Sequence, residues 1–394
     1  MRRLGLSRRL LWLAALVALG CAGGPPPPGP FYAATPDAAT RAPGRLIRSE
    51  EMRDPPPGAK AWRILYLSSG LDGQPVTVSG IVVAPQLPAP IGGRPVVAWA
   101  HPTTGVADNC APSLRPEVFD TIPHLQALIA LDYVVAATDY PGLGTPGPHP
   151  YLVGESEGRA VIDSVRAARD LEKVGASARY AVWGHSQGGQ AALFAGEIAP
   201  IYAPELELTG VAAIAPATEL GPLLVDDIAE RAGRLIASYS LWSWSRVYGA
   251  PLEPVVVETA IPNIDRAARD CVETWGEAYR AVFDSRGLRP DFLKEGAFEA
   301  EPWKRLLEEN RPGRRPIRAP IYVAQGEEDT IVRPSITADF VAGLCRTGER
   351  VRYETLPGVD HMRAGRASAT SAVQWLRDRF DGKRAPTTCP PLEP

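Results

Sequence analysis

The 394 residues are enough for one large α/β domain with an insertion or for two ordinary domains. With 45% hydrophobic residues, 22% charged residues and a net charge of -3, the composition is globular and points away from nucleic acid or any other polyanionic partner. No internal repeat is visible, and beyond the N-terminal segment no apolar run is long enough to span a bilayer.

Arg2, Arg3, Arg8 and Arg9 precede an apolar run at 10–19, which reads as an export signal over 1–20. Ala18-Leu19-Gly20-Cys21 places small residues before a cysteine and suggests a lipoprotein signal with Cys21 lipidated; ordinary cleavage nearby is the alternative. Ser7-Arg8-Arg9 also has a weak twin-arginine character. The Pro/Gly stretch at 23–30 cannot build a core, so 21–60 is expected to be a tether and N-terminal arm. The chain is therefore expected to be exported, either secreted or anchored to a membrane through Cys21. Four further cysteines, Cys110, Cys271, Cys345 and Cys389, suit an oxidising compartment and two disulfides, with three pairings open. There is no CxxC pair and no Cys/His spacing suited to zinc, so neither a metal nor a cofactor is expected.

The first part of an α/β core is expected over 61–218. Strands at 62–68 and 76–84 flank a Gly70-Leu71-Asp72-Gly73 turn and read as an antiparallel edge. The uniformly apolar stretch at 94–100 reads as a buried parallel strand running into His101-Pro102-Thr103-Thr104-Gly105. A helix at 122–131 and a strand at 133–138 follow. The loop Asp139-Tyr140-Pro141-Gly142-Leu143-Gly144 then reads as pocket wall, with His149 and Tyr151 beside it. A helix from Ser156 to near Gly175 precedes a strand at 179–183, then Gly184-His185-Ser186-Gln187-Gly188-Gly189, then a helix at 190–199. Strand, Gly-x-Ser-x-Gly, helix is the nucleophile-elbow pattern, in which small neighbours let a serine sit on a sharp strained turn. A strand at 208–215 closes this part.

Alternation then breaks over 219–318, a helical stretch holding Leu223, Leu224, the aromatic run at 241–248, Trp275 and Trp303. An insertion between core strands reads as a cap, with most of these side chains forming its own core and a few touching substrate. The core resumes over 319–394, with strands at 321–326 and 351–356, a helix at 334–344 and a final helix at 367–380.

A serine hydroxyl needs a base, and the base needs an acid. His361 is the one histidine after Ser186 and follows the last strand, where this chain order puts the base. Glu327, Glu328 and Asp329 follow the preceding strand; Asp329 leads as the acid, with Asp360 a weaker rival. His185 is expected to be structural. The developing oxyanion would take the N–H of Gln187 and one from the loop after 94–100. Pro102 has no N–H, so Thr103 is first choice and Thr104 next.

The stretches at 99–105 and 110–113, Asp139-Tyr140-x-Gly142-Leu143-Gly144 with the later His149-x-Tyr151, the GHSQGG elbow and the two acid and base loops together resemble the secretory lipase family of the lipase A type. The resemblance covers nearly the whole mature chain. It implies an α/β-hydrolase fold, a mostly parallel sheet flanked by helices with a helical cap, acting on triacylglycerols or other carboxylic esters. It also implies the pairs Cys110–Cys271 and Cys345–Cys389. His101-Pro102 departs from the His-Gly expected there, which loosens the choice of oxyanion donor. Two other functions suit the same residues: a serine peptidase or acyltransferase on this fold, and a catalytically silent surface binding protein. Oligomeric state is not legible in the sequence.

Overall fold

The computed structural model describes residues 26–33 and 42–391. The export signal expected at 1–20 and the lipidation expected at Cys21 lie outside the described residues. Nine strands form one sheet: β1 (Leu46–Glu51), β2 (Ala59–Ser69), β3 (Pro75–Pro85), β4 (Arg94–Ala100), β5 (Val134–Thr138), β6 (Ala176–His185), β7 (Glu207–Ile214), β8 (Ile321–Gly326) and β9 (Val351–Leu356). Their spatial order is β1-β2-β3-β5-β4-β6-β7-β8-β9. The pairs from β1 to β5 are antiparallel, and every pair from β5 to β9 is parallel.

The middle parallel strands are buried and mainly apolar, as in VVAAT of β5 and IYVAQG of β8, because helices cover both faces, whereas the edge strand β9, VRYETL, carries charge. On one face α2 (Gly154–Asp170), α3 (Gln187–Tyr202) and α9 (Pro334–Arg346) pack through Val161, Leu193 and Phe340. On the other, α1 (Leu125–Ala130), α10 (His361–Ala367) and α11 (Ala369–Phe380) pack through Leu128, Ala364 and Leu376. Between β7 and β8 lie the cap helices α4 (Leu220–Val225), α5 (Arg231–Val247), α6 (Ile261–Ala267), α7 (Trp275–Asp284) and α8 (Trp303–Glu309). The cap has a separate core in which Leu224, Leu241, Trp244 and Trp303 are buried.

Two local expectations need correction. The arm expected over 21–60 contains strand β1, paired antiparallel with β2. Its sequence LIRSEE looks like loop because it is an edge strand, half-buried to exposed along its whole length, and edge strands carry charge. The same arm places Tyr32 in the core at 4% exposure, its hydroxyl 2.9 Å from Ser113 Oγ. The final helix expected at 367–380 is present as Ala369–Phe380, but the loop expected around His361 runs directly into a further helix, His361–Ala367, which ends at Ser368, whose Oγ donates back to the Ala364 carbonyl at 2.8 Å.

Strand order reverses direction around β4, with β5 on one side and β6 on the other. The carboxyl ends of strands at such a switch point open a crevice. Ser186 follows β6 there, and the His101–Gly105 loop follows β4.

Candidate active site

The elbow is a backbone contact. A Cβ on Gly184 would stand 2.0 Å from the Gly188 carbonyl oxygen, and one on Gly188 would stand 1.9 Å from the Ala100 carbonyl oxygen. No side chain fits at either position, so glycine lets β6, α3 and the end of β4 meet. Ser186 itself sits at φ +57° and ψ -118°, a costly conformation for a residue with a Cβ. Its N–H donates to the Ile214 carbonyl at 2.9 Å, which fixes the turn against β7.

Ser186 Oγ lies 2.8 Å from His361 Nε2, and His361 Nδ1 lies 2.7 Å from Asp329 Oδ2. A carboxylate only accepts, so Nδ1–H donates to Asp329 and Nε2 is left to accept the serine proton. Asp329 and His361 are buried. Asp329 Oδ1 accepts the N–H groups of Ile331 at 2.9 Å and Val332 at 2.8 Å, and Oδ2 also accepts from Gln325 Nε2 at 2.9 Å. Four donors therefore hold one carboxylate in place. The rival acids are elsewhere: Glu327 and Glu328 are exposed, and Asp360 caps α10 through the Arg363 N–H at 2.9 Å.

Gln187 is the first residue of α3, and its N–H has no partner inside that helix. Thr103 lines the same cavity and its backbone N–H makes no hydrogen bond among the described residues; its Oγ1 is 2.8 Å from the Tyr151 hydroxyl. Thr104 is buried and its carbonyl accepts the Val272 N–H at 2.9 Å, tying the loop to the cap. Cys110 is bonded to Cys271 and Cys345 to Cys389, with Cα separations of 5.3 and 5.4 Å.

The cavity over Ser186 measures about 460 Å³. Leu235, Ile236 and Tyr239 of α5, Val272, and Ala278 and Val282 of α7 give it an apolar roof. Arg115, Glu117, Asp120, Glu273 and Arg366 line it as well. Arg115 pairs with Glu273 and, at 2.6 Å, with Glu277. Burial raises the Glu273 carboxyl to about 7 despite the pull of Arg115.

His185 is structural, as expected, but its partner and those of other supporting groups are not legible in the sequence. His185 Nε2–H donates to the His361 carbonyl at 3.0 Å, and its ring lies 5.1 Å from the His361 ring. Burial, with the His361 ring adding to it, lowers His185 to about 3, so it remains neutral as a brace for the base. His101 is buried against Tyr140 and lowered to about 4 by desolvation. His149 is not a wall residue of the cavity but lies beneath the elbow, against the Gln187 side chain. The His185 and Gln187 positions beside the serine were the available signal; their partners lie too far along the chain to be seen.

The family profile described as secretory lipase matches residues 120–388. A secreted triacylglycerol lipase of Malassezia globosa is 26% identical over 91% of this chain and 80% of its own length. A probable inactive lipase of Mycobacterium tuberculosis is 23% identical over 93% of this chain and 86% of its own. Among solved structures, the closed state of Candida antarctica lipase A superposes with a TM-score of 0.77 at 17% identity, over 93% of this chain and 89% of that one. The match spans more than half of the chain, and the sheet is that of the α/β-hydrolases. The chain belongs to the secretory lipase family and is a carboxylic ester hydrolase.

Proposed function

We propose that Ser186 attacks the carbonyl carbon of an acyl ester, with His361 as base and acid and Asp329 as the group that orients it. Ser186 Oγ gives its proton to His361 Nε2 as the C–O bond forms. The charged imidazolium is stabilised by Asp329 across the Nδ1–H bond. Negative charge on the carbonyl oxygen is received by the N–H groups of Gln187 and Thr103. Collapse expels the alcohol, which takes the proton from His361. Water, activated by the same base, then frees the acid from the acyl-serine.

The two consecutive hydrogen bonds, Ser186 to His361 at 2.8 Å and His361 to Asp329 at 2.7 Å, carry this reading. The apolar roof of the cavity supports an acyl chain as the part of the substrate under the cap, and the named substrates of relatives support triacylglycerols among the esters cleaved. Export with lipidation at Cys21 is the accompanying proposal for location, supported by the residues at 18–21 and by relatives described as secreted.

Ser186→Ala is expected to abolish hydrolysis of a short p-nitrophenyl ester while leaving the thermal unfolding transition in place. Activity retained in a folded Ser186→Ala protein would sink the assignment. Tributyrin and longer triacylglycerols, assayed with the wild type, then set the acyl range.

A further inference from the structure

The Gln187 side chain enters a buried cluster that the acyl-transfer steps leave unused. Glu157 and His149 are fully buried, and Gln187 is 1% exposed. Gln187 Nε2 is 2.7 Å from Glu157 Oε1 and 3.1 Å from His149 Nε2. His149 Nδ1 lies 2.9 Å from the Pro141 carbonyl, which only accepts, so Nδ1 carries the ring proton and Nε2 is an acceptor. Both N–H bonds of the Gln187 amide are thereby taken. Glu157 Oε1 also accepts the Leu152 N–H at 3.0 Å.

Two buried atoms at this contact have no hydrogen-bond partner among the described residues: Glu157 Oε2 and Gln187 Oε1. A neutral carboxylic acid and a primary amide pair through two hydrogen bonds, amide N–H to acid carbonyl and acid O–H to amide carbonyl. The first is present at 2.7 Å. The two orphaned oxygens are the ones the second requires. A carboxylate would have neither, and burying an uncompensated charge is costly.

We propose that Glu157 is held as a neutral acid whose Oε2–H donates to Gln187 Oε1, and that this pair positions the Gln187 backbone N–H beside Ser186. Glu157 is then a positioning residue for the oxyanion donor, and the inference rests on Ser186 being the nucleophile. The titratable groups facing it are His149, with Nε2 4.0 Å from Oε1, and the Tyr140 and Tyr151 hydroxyls. No lysine or arginine pairs with Glu157 among the described residues. Burial raises the Glu157 carboxyl to about 8, lowers His149 to about 3 and raises both tyrosines, so the cluster is uncharged at neutral pH. Above about pH 8 the proton leaves to solvent, the two oxygens repel, and a negative charge appears on Glu157 against the side chain of the residue that follows Ser186.

The test measures kcat and KM by alkali titration of a water-soluble short-chain ester from about pH 6 to about pH 10. Wild-type kcat should fall about tenfold per pH unit above the Glu157 transition, with KM little changed. Glu157→Gln can make both hydrogen bonds and cannot ionise, so it should keep its kcat through the alkaline range. Glu157→Ala should lose about tenfold to a hundredfold in kcat at every pH. The wild-type minus Glu157→Gln infrared difference spectrum should show the band of one buried protonated carboxyl that the variant has lost, since Glu273 and the other buried carboxyls contribute equally to both proteins. An alkaline limb shared by wild type and Glu157→Gln, or no carboxyl band in that difference, overturns the proposal; if Glu157→Ala does not fold, the glutamine variant still decides. Stoichiometric labelling of Ser186 by a fluorophosphonate separates the two readings, since failed labelling would indict the nucleophile and not Glu157.

Discussion

At the residue scale, Asp329, the proposed acid, is held by four hydrogen-bond donors. Asp329 accepts from Ile331, Val332, Gln325 and His361, and no solvent contact is needed to complete its set. An asparagine there would keep the volume but place an N–H where an acceptor is required. It would then meet the His361 Nδ1–H, favour the other imidazole tautomer and remove the acceptor facing Ser186. Asp329→Asn should therefore lower kcat by about 10⁴ on a soluble ester, with the fold intact. Glu328→Gln, at an exposed position, should leave kcat near wild type; the reverse ranking would show the wrong acid. Ser186, Asp329 and His361 are legible in the sequence because chain order and strand ends limit the choice. His361 has no competitor after the elbow, and Asp329 has three, Glu327, Glu328 and Asp360. The groups that brace them are not legible. His185 meets the carbonyl of a residue 176 positions away, and Gln187 meets Glu157 across 30 positions. Nothing in a local pattern reports such pairs.

At the element scale, the cap is tied to the loop that follows β4. Cys110–Cys271 joins the two covalently, and Val272 N–H donates to the Thr104 carbonyl beside Thr103. A second tie runs from α5: Ser243 Oγ donates to the His149 carbonyl at 2.6 Å, and Trp244 Nε1–H donates to the Tyr151 carbonyl at 2.9 Å. Closing a loop with a sequence separation of 161 removes chain entropy from the unfolded state, an effect of about 2–5 kcal/mol. The double variant Cys110→Ser, Cys271→Ser should thus lower both Tm and kcat/KM, because the cap and the Thr103 N–H lose a common anchor. The Cys345–Cys389 bond joins α9 to the C-terminal segment, away from the cavity, so Cys345→Ser with Cys389→Ser should lower Tm with kcat/KM per folded enzyme kept. Calorimetry and ester assays on both pairs check this. Secondary structure was read well where burial is two-sided, as in RPVVAWA of β4. It fails at β1, whose charged edge hides the strand, and at α10, where the short run HMRAGRA carries too few apolar residues to mark a helix.

At the scale of the molecule, the arm changes what an anchor at Cys21 would do. Phe31 and Tyr32 lie under the Arg63 guanidinium at 5.8 and 5.7 Å, and Arg48 donates to the Pro30 and Ala33 carbonyls. The chain thus joins the fold near residue 30, not near residue 60. Five residues from Cys21 to Pro26 span at most about 17 Å when extended, so a lipid there would hold the domain close to the membrane. Metabolic labelling with a radioactive fatty acid should mark the wild type and not Cys21→Ser, and Cys21→Ser should appear free in the medium. An unlabelled wild type with a mature N-terminus elsewhere would leave the secreted form alone standing. The elbow has a consequence for descent. Its tight contacts run from main chain to main chain, with glycine on one side and a carbonyl on the other. Such a joint imposes no demand on the identity of the surrounding side chains. Roof, rim and surface of this chain could therefore change while the joint is kept. Divergence in what is cleaved can proceed without renegotiating how it is cleaved.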